Sequence, residues 1–272
     1  MGGSRALVVA GLLVMGATWG IGCEGEKAPL APEATSLEAS KPAAPSVLRF
    51  AVDAPSSKVE FLMDAPKEKI RGRVSGAAGG ELLVDPSDLT KTTGLVTVDL
   101  GKLELFQTVA GADGAFGAES KSEKQNEHAL TWLEISPDTP AEVREKNAKA
   151  QFAIRLVEVE GETDLGKRSG SERRVNLKVT GEFLLHQRKV MKSVELAVTF
   201  RFQGNMPVNA VIRTVKPFAV GLAEHDVQPR EAFGKLAQKT LEVLAPKVTK
   251  EALVSLDLAA GLSLDGGSGG MP

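Results

Sequence analysis

The chain has 272 residues, with 33 basic and 35 acidic side chains and a formal net charge of −2. That length suits one large domain or two small ones. The near-neutral charge excludes a basic nucleic-acid surface, and a single Cys excludes an intrachain disulfide framework and a cysteine zinc site. Acid–base side chains are scarce, with three His and no Tyr, which points away from an enzyme.

The amino end carries one positive charge, Arg5, and then an uncharged run from Ala6 to Gly22 that is rich in Gly. It is shorter than the roughly 20 apolar residues of a membrane-spanning helix, and Gly lowers its helix propensity. Residues 1–22 therefore read as a secretory signal peptide. Cys23 closes the run. Ile21-Gly22-Cys23 resembles the lipobox of bacterial lipoproteins, with Gly20 where Leu is usual. This makes Cys23 the expected lipidation site, and its acyl chains the expected membrane anchor. The chain is then exported to the periplasm.

Residues 23–47 hold the anchor Cys and a stretch with Pro29, Pro32, Pro42 and Pro45 among Ala, Glu and Ser. No apolar period survives there, so it reads as a disordered tether. Residues 261–272 end in a Gly-rich stretch and read as a flexible tail. One domain, 48–260, lies between.

Within it the dominant pattern is period two, the mark of strands with one apolar face. Leu48, Phe50 and Val52 alternate with polar residues, as do Val59, Phe61 and Met63; Ile70, Gly72 and Val74; and Leu82 and Val84. Val96, Val98 and Leu100 continue the pattern, then Phe152, Ile154 and Leu156. The clearest pair is Val175, Leu177, Val179, Phe183 and Leu185, followed by Val194, Leu196, Val198, Phe200 and Phe202. Gly181 falls on the apolar side of the first, where a bend or bulge is expected. Val208 to Val215 is ambiguous in phase, and Val254, Leu256 and Leu258 close the series. Turns at Asp53-Ala54-Pro55, Gly76 to Gly80, Asp85-Pro86 and Gly204-Asn205 imply antiparallel neighbours. Two segments carry helical patterns. Ser122 to Leu133 has Ser122 as N-cap and Gln125 as its capping-box partner. Glu231 to Leu244 has an apolar stripe and stops at Pro246; it is expected as a lid, a membrane contact or a helix packed outside the sheet.

These strands predict an all-β, antiparallel fold with two peripheral helices, either two packed sheets or a closed β-barrel of about eight strands; periodicity does not decide between them. Closure removes exposed edges, and such a barrel has room for side chains or one small ligand. If the barrel closes, its lining is Phe61, Ile70, Val74, Val96, Val98, Phe152, Ile154, Leu177, Val179, Phe183, Leu196, Val198, Phe200 and Leu256. A hollow barrel and a solid one require the same alternation.

The order of short motifs resembles the YceI-like family. They are Val52-Asp53 with Ser57-Lys58-Val59-Glu60-Phe61; Gly72-Arg73-Val74-Ser75-Gly76 with Gly79-Gly80-Glu81; Glu127-His128-Ala129-Leu130; and Val179 to His186 followed by Lys189 and Val194-Glu195-Leu196, with Asp257 in the closing strand. The resemblance spans nearly all of 48–260. It departs at Gln187-Arg188-Lys189, at Arg213 to Gly221, in the loop 161–172 and in the insertion 228–247. It implies a lipocalin-like barrel that holds a polyisoprenoid or similar lipid.

The function expected is that of a non-catalytic periplasmic carrier. It sequesters an apolar lipid, a polyisoprenoid or isoprenoid quinone, and needs no cofactor beyond that bound lipid. The alternative is an envelope structural or partner-binding lipoprotein with a solid core. His128, His186 and His225 lack short metal-ligand spacing, so no metal site is assigned. No Gly-x-Ser-x-Gly elbow is present, so no catalytic residue is assigned. Asp226 reads as a local turn acceptor. Glu224 and His225, adjacent on an extended chain, are expected on opposite faces.

Overall fold

The computed structural model describes residues 29–41, 47–228 and 250–263. Its strands are β1 (Leu48–Val52), β2 (Lys58–Ala65), β3 (Glu68–Ser75), β4 (Ala78–Val84), β5 (Thr93–Asp99), β6 (Leu103–Val109), β7 (Ser120–Lys121), β8 (Lys149–Val159), β9 (Glu172–Leu185), β10 (Arg188–Gln203), β11 (Met206–Thr214), β12 (Phe218–Gly221) and β13 (Glu251–Leu262). Helices α1 (Glu123–Trp132) and α2 (Ala141–Asn147) lie between β7 and β8.

The strands form a closed antiparallel ring in the order β1-β4-β5-β8-β9-β10-β11-β13, which returns to β1 through Phe50↔Leu262. This is the eight-stranded, lipocalin-like all-β barrel that the resemblance implies, where the alternation alone left a sandwich open. The further strands are continuations. Strand β13 pairs with β1 at Val52↔Ala260 and then with β2 at Asp257↔Lys58. Strands β1 and β2 are thus two halves of one bent strand, broken at 53–57. The same holds for β3 with β4, because β1 pairs β4 while β2 pairs β3. It holds again for β5 with β6, which pair β4 and β3. Eight bent strands wrap the core more closely than eight straight ones.

Two close approaches shape the wall. The Phe61 ring lies over Gly72 on the neighbouring strand, and the Phe152 ring lies over Gly181; a Cβ at either glycine would collide with the ring. Only glycine leaves the backbone open to these aromatic faces. The bulge expected at Gly181 lies on its partner, between Ile154 and Leu156 of β8.

The two ends of the barrel are closed differently. At one end, 3-10 turns Leu89–Lys91 and Leu165–Lys167 press Leu89 and Leu165 inward, 1% and 0% exposed. Each turn follows an Asp whose side chain caps it, Asp88 accepting from the Thr90 N–H and Asp164 from the Gly166 N–H. Asp99 repeats the device at Leu100–Lys102, where β5 passes into β6. The other end is crossed by α1. Below β5, strand β6 no longer pairs with β8, and α1 packs against β6 there. Ser122 is its N-cap, as predicted, accepting from the Gln125 N–H at 3.4 Å, but the expected capping box does not form: the Ser122 N–H donates to the Leu105 carbonyl and the Gln125 side chain turns to Glu68. Helix α2 was not legible from periodicity. The helix expected at 231–244, the signal at 1–22, Cys23 and most of the tail lie outside the described residues.

Residues 29–41, expected as part of a free tether, are extended but bound to the barrel. The Ala34 N–H donates to the Gln187 carbonyl at 2.9 Å, and the Lys189 N–H donates to the Pro32 carbonyl at 2.9 Å. Leu37 packs on the outward-facing Ala153 and Leu184. Those outward apolar residues break the simple alternation, and the strap removes them from water.

Candidate functional site

The inward faces enclose a cavity of about 320 Å³. It falls at the lower end of the size range of small-molecule sites. On β9 Val175 and Val179 are buried, whereas Leu177 between them on the same face is only partly buried; Leu177 and Val179 both border the hollow. Phe61, Ile70, Val96, Phe152, Phe183, Leu196 and Leu256 are likewise partly buried while facing inward. Every predicted lining residue, from Phe61 to Leu256, borders this cavity. The inward-facing side chains therefore leave the core partly empty.

Sequence reasoning missed part of the lining. Leu103 and Leu105 of β6 contribute, but the neighbouring Phe106 masks their alternation. Leu89 contributes from a 3-10 turn, which carries no period-two signal, and Leu100, which continues the alternation of Val96 and Val98, also borders the cavity. His128, Ala129, Trp132 and Leu133 contribute from α1; their i, i+4 spacing on a helix was the available sign. Phe218 and Val220 of β12 also line it.

Among the described residues one lining side chain is charged, Glu68, and none is Lys or Arg. Glu68 accepts a hydrogen bond from Gln125 Nε2 at 2.8 Å, which ties the start of β3 to the first turn of α1. His128 stacks on Trp132 in parallel planes, 6.4 Å between centroids.

The three histidines do not converge. His128 is exposed on α1. His186, buried at the β9–β10 turn, contacts Glu134 Oε2 through Nε2 at 3.1 Å and the His225 carbonyl through Nδ1 at 3.0 Å. Bonded to a carbonyl, Nδ1 is the donor. His225 is fully buried and donates from Nδ1 to the carbonyls of Leu185 and Arg188. Among the described residues no group of three His, Cys, Asp or Glu is arranged to hold a metal ion.

One expectation is corrected here. Residues Ala223–His225 form a 3-10 turn rather than an extended segment. Glu224 Oε1 therefore comes within 3.7 Å of His225 Nε2. Burial alone would raise the Glu224 carboxyl, but the Lys192 ammonium at 2.7 Å holds it below the usual carboxylate range. Burial pushes the His225 imidazole below its ordinary value, and the carboxylate only partly offsets this. Asp226, expected as a local acceptor, receives a bond from Gln228 Nε2 at 2.8 Å.

No family model and no curated protein matches the sequence. Among solved structures, the chain is similar to a polyisoprenoid binding domain from Saccharophagus degradans implicated in plant cell wall breakdown. The TM-score is 0.46 at 13% identity, over 79% of this chain and 99% of that one. It is also similar to BcnA of Burkholderia cenocepacia, with a TM-score of 0.45 at 14% identity, over 76% of this chain and 98% of that one.

Proposed function

We propose that the protein is a non-catalytic carrier that holds an apolar lipid chain inside its barrel. The observation that carries this reading is the 320 Å³ hollow, lined almost wholly by aliphatic and aromatic side chains. Each methylene moved from water into such a lining gains about 0.8 kcal/mol. About ten buried carbons then correspond to on the order of 8 kcal/mol, from which the costs of ordering the ligand are subtracted. Among the described residues the lining supplies no nucleophile paired with a base, which fits a binding role. The YceI-like motifs of the sequence point to the same ligand class, a polyisoprenoid or isoprenoid quinone.

In this reading residues 1–22 direct export and Cys23 carries the acyl chains, so the barrel works in the periplasm beside the membrane that supplies its lipid. No nucleic acid takes part.

The test is native mass spectrometry of a chain beginning at Glu24, which keeps every residue the structure describes, with organic extraction of the bound material. A stoichiometric adduct of isoprenoid mass is expected. A clean apo mass, unchanged after incubation with polyprenols and quinones, would overturn the proposal. Labelling with radioactive palmitate tests the anchor: wild type takes up label and Cys23→Ser does not.

A further inference from the structure

The polar groups of the lining are unevenly placed, and among the described residues none is a lysine or arginine. Gln151 is already occupied, accepting from the Leu37 N–H at 2.8 Å and donating to Thr97 Oγ1 at 3.3 Å. Thr92 offers a neutral hydroxyl. The remaining polar members, Glu68, Gln125 and His128, gather where the start of β3 meets the first turns of α1. Glu68 and Gln125 are half-buried and His128 is exposed, so this end of the cavity meets water. At the other end Phe50 and Leu89 are 0% and 1% exposed. A long amphiphile that fills this hollow therefore places its tail against Leu89 and Phe50 and its head beside Glu68.

The chemistry beside Glu68 is selective. The Glu68 carboxylate can accept from a hydroxyl, and the Gln125 carboxamide can accept from a hydroxyl through its oxygen or donate to a carbonyl through its N–H. They give a phosphate no compensating cation, and a second anion beside Glu68 meets like-charge repulsion in a partly desolvated place. Nearby lysines do not change this. Lys67 and Lys124 are exposed and do not line the cavity, and Lys69 lies over the Phe116 ring, 4.7 Å from its centroid.

We propose that the cavity selects an apolar chain ending in an uncharged hydroxyl or carbonyl head, held at Glu68 and Gln125, over the phosphorylated form of the same chain. This rests on the lipid-carrier reading. The experiment is displacement of the neutral fluorophore N-phenyl-1-naphthylamine from the chain beginning at Glu24, by geranylgeraniol and by geranylgeranyl monophosphate. The alcohol is expected to displace the dye at a concentration at least tenfold lower. Glu68→Gln narrows the ratio and Glu68→Lys reverses it, with the dye itself still bound. Equal displacement, or a preference for the phosphate in the wild type, would overturn the proposal while leaving the carrier reading intact. A ratio unchanged by Glu68→Lys would equally overturn the role given to Glu68. If neither dye nor lipid binds, the carrier reading itself falls.

Discussion

His225 shows how a single residue can limit the pH range of this fold. Its ring is fully buried, and Nδ1 donates to two backbone carbonyls. That arrangement leaves Nε2 as the acceptor of a neutral ring, and Nε2 has no hydrogen-bond partner. Burial lowers its proton affinity in the folded state. The unfolded chain therefore takes up the proton first as pH falls. Stability is retained above the unfolded value of about 6.5 and declines as pH drops below it toward the folded value. His225→Gln keeps a donor but cannot titrate. It should flatten the dependence of Tm between pH 5 and 7 while costing about 1–2 kcal/mol at pH 7.5. Thermal melts across that range check both statements. Gly72 is a second single-residue constraint: Gly72→Val drives a methyl into the Phe61 ring. Overpacking of this kind costs about 2 kcal/mol, which urea denaturation reads directly.

At the scale of elements, the N-terminal strap is the clearest case of a segment whose role depends on its neighbours. Leu37 is 6% exposed and covers Ala153 and Leu184 on the outside of β8 and β9. Leu37→Ala should cost about 2 kcal/mol, at the lower end of core truncations because the site lies at the surface. Hydrogen exchange should then quicken at the strap and at the β9–β10 turn it bonds, more than in β11. The three Asp-Leu-x-Lys turns follow the opposite logic. Their conformation is local, since each Asp caps its own turn, yet two of them place the leucines that close one end of the barrel. Helix α1 was legible because its N-cap Ser122 and the Gln125 that follows are short-range signals. Strand β6 was not, because Leu103, Leu105 and Phe106 are consecutive enough to blur a period of two.

Considered whole, the molecule is a wall of eight bent strands around a space that side chains leave partly empty. Filling that space separates a hollow barrel from a packed one. Leu177→Phe adds volume where the lining is only partly buried. It should leave the apo melting temperature within a few degrees and weaken isoprenoid binding at least tenfold. In a solid core the same change would cost about 1–3 kcal/mol. Paired thermal melts and fluorophore displacement distinguish the two.

The sequence by itself determined the strand alternation, the inward identity of residues such as Val179, Leu196 and Phe200, the turns, and the start of α1. All of these follow from contacts between residues close in the chain. Only the tertiary structure decided that the ring closes through Phe50↔Leu262, that paired segments are halves of bent strands, and that the strap is bound. It alone brought Glu68 to Gln125 and Glu224 to Lys192. Alternation states which face is apolar but not how far the opposite wall stands. The hollow is set by strand number, bending and the side chains that meet across it, and these pairings join residues as much as two hundred positions apart.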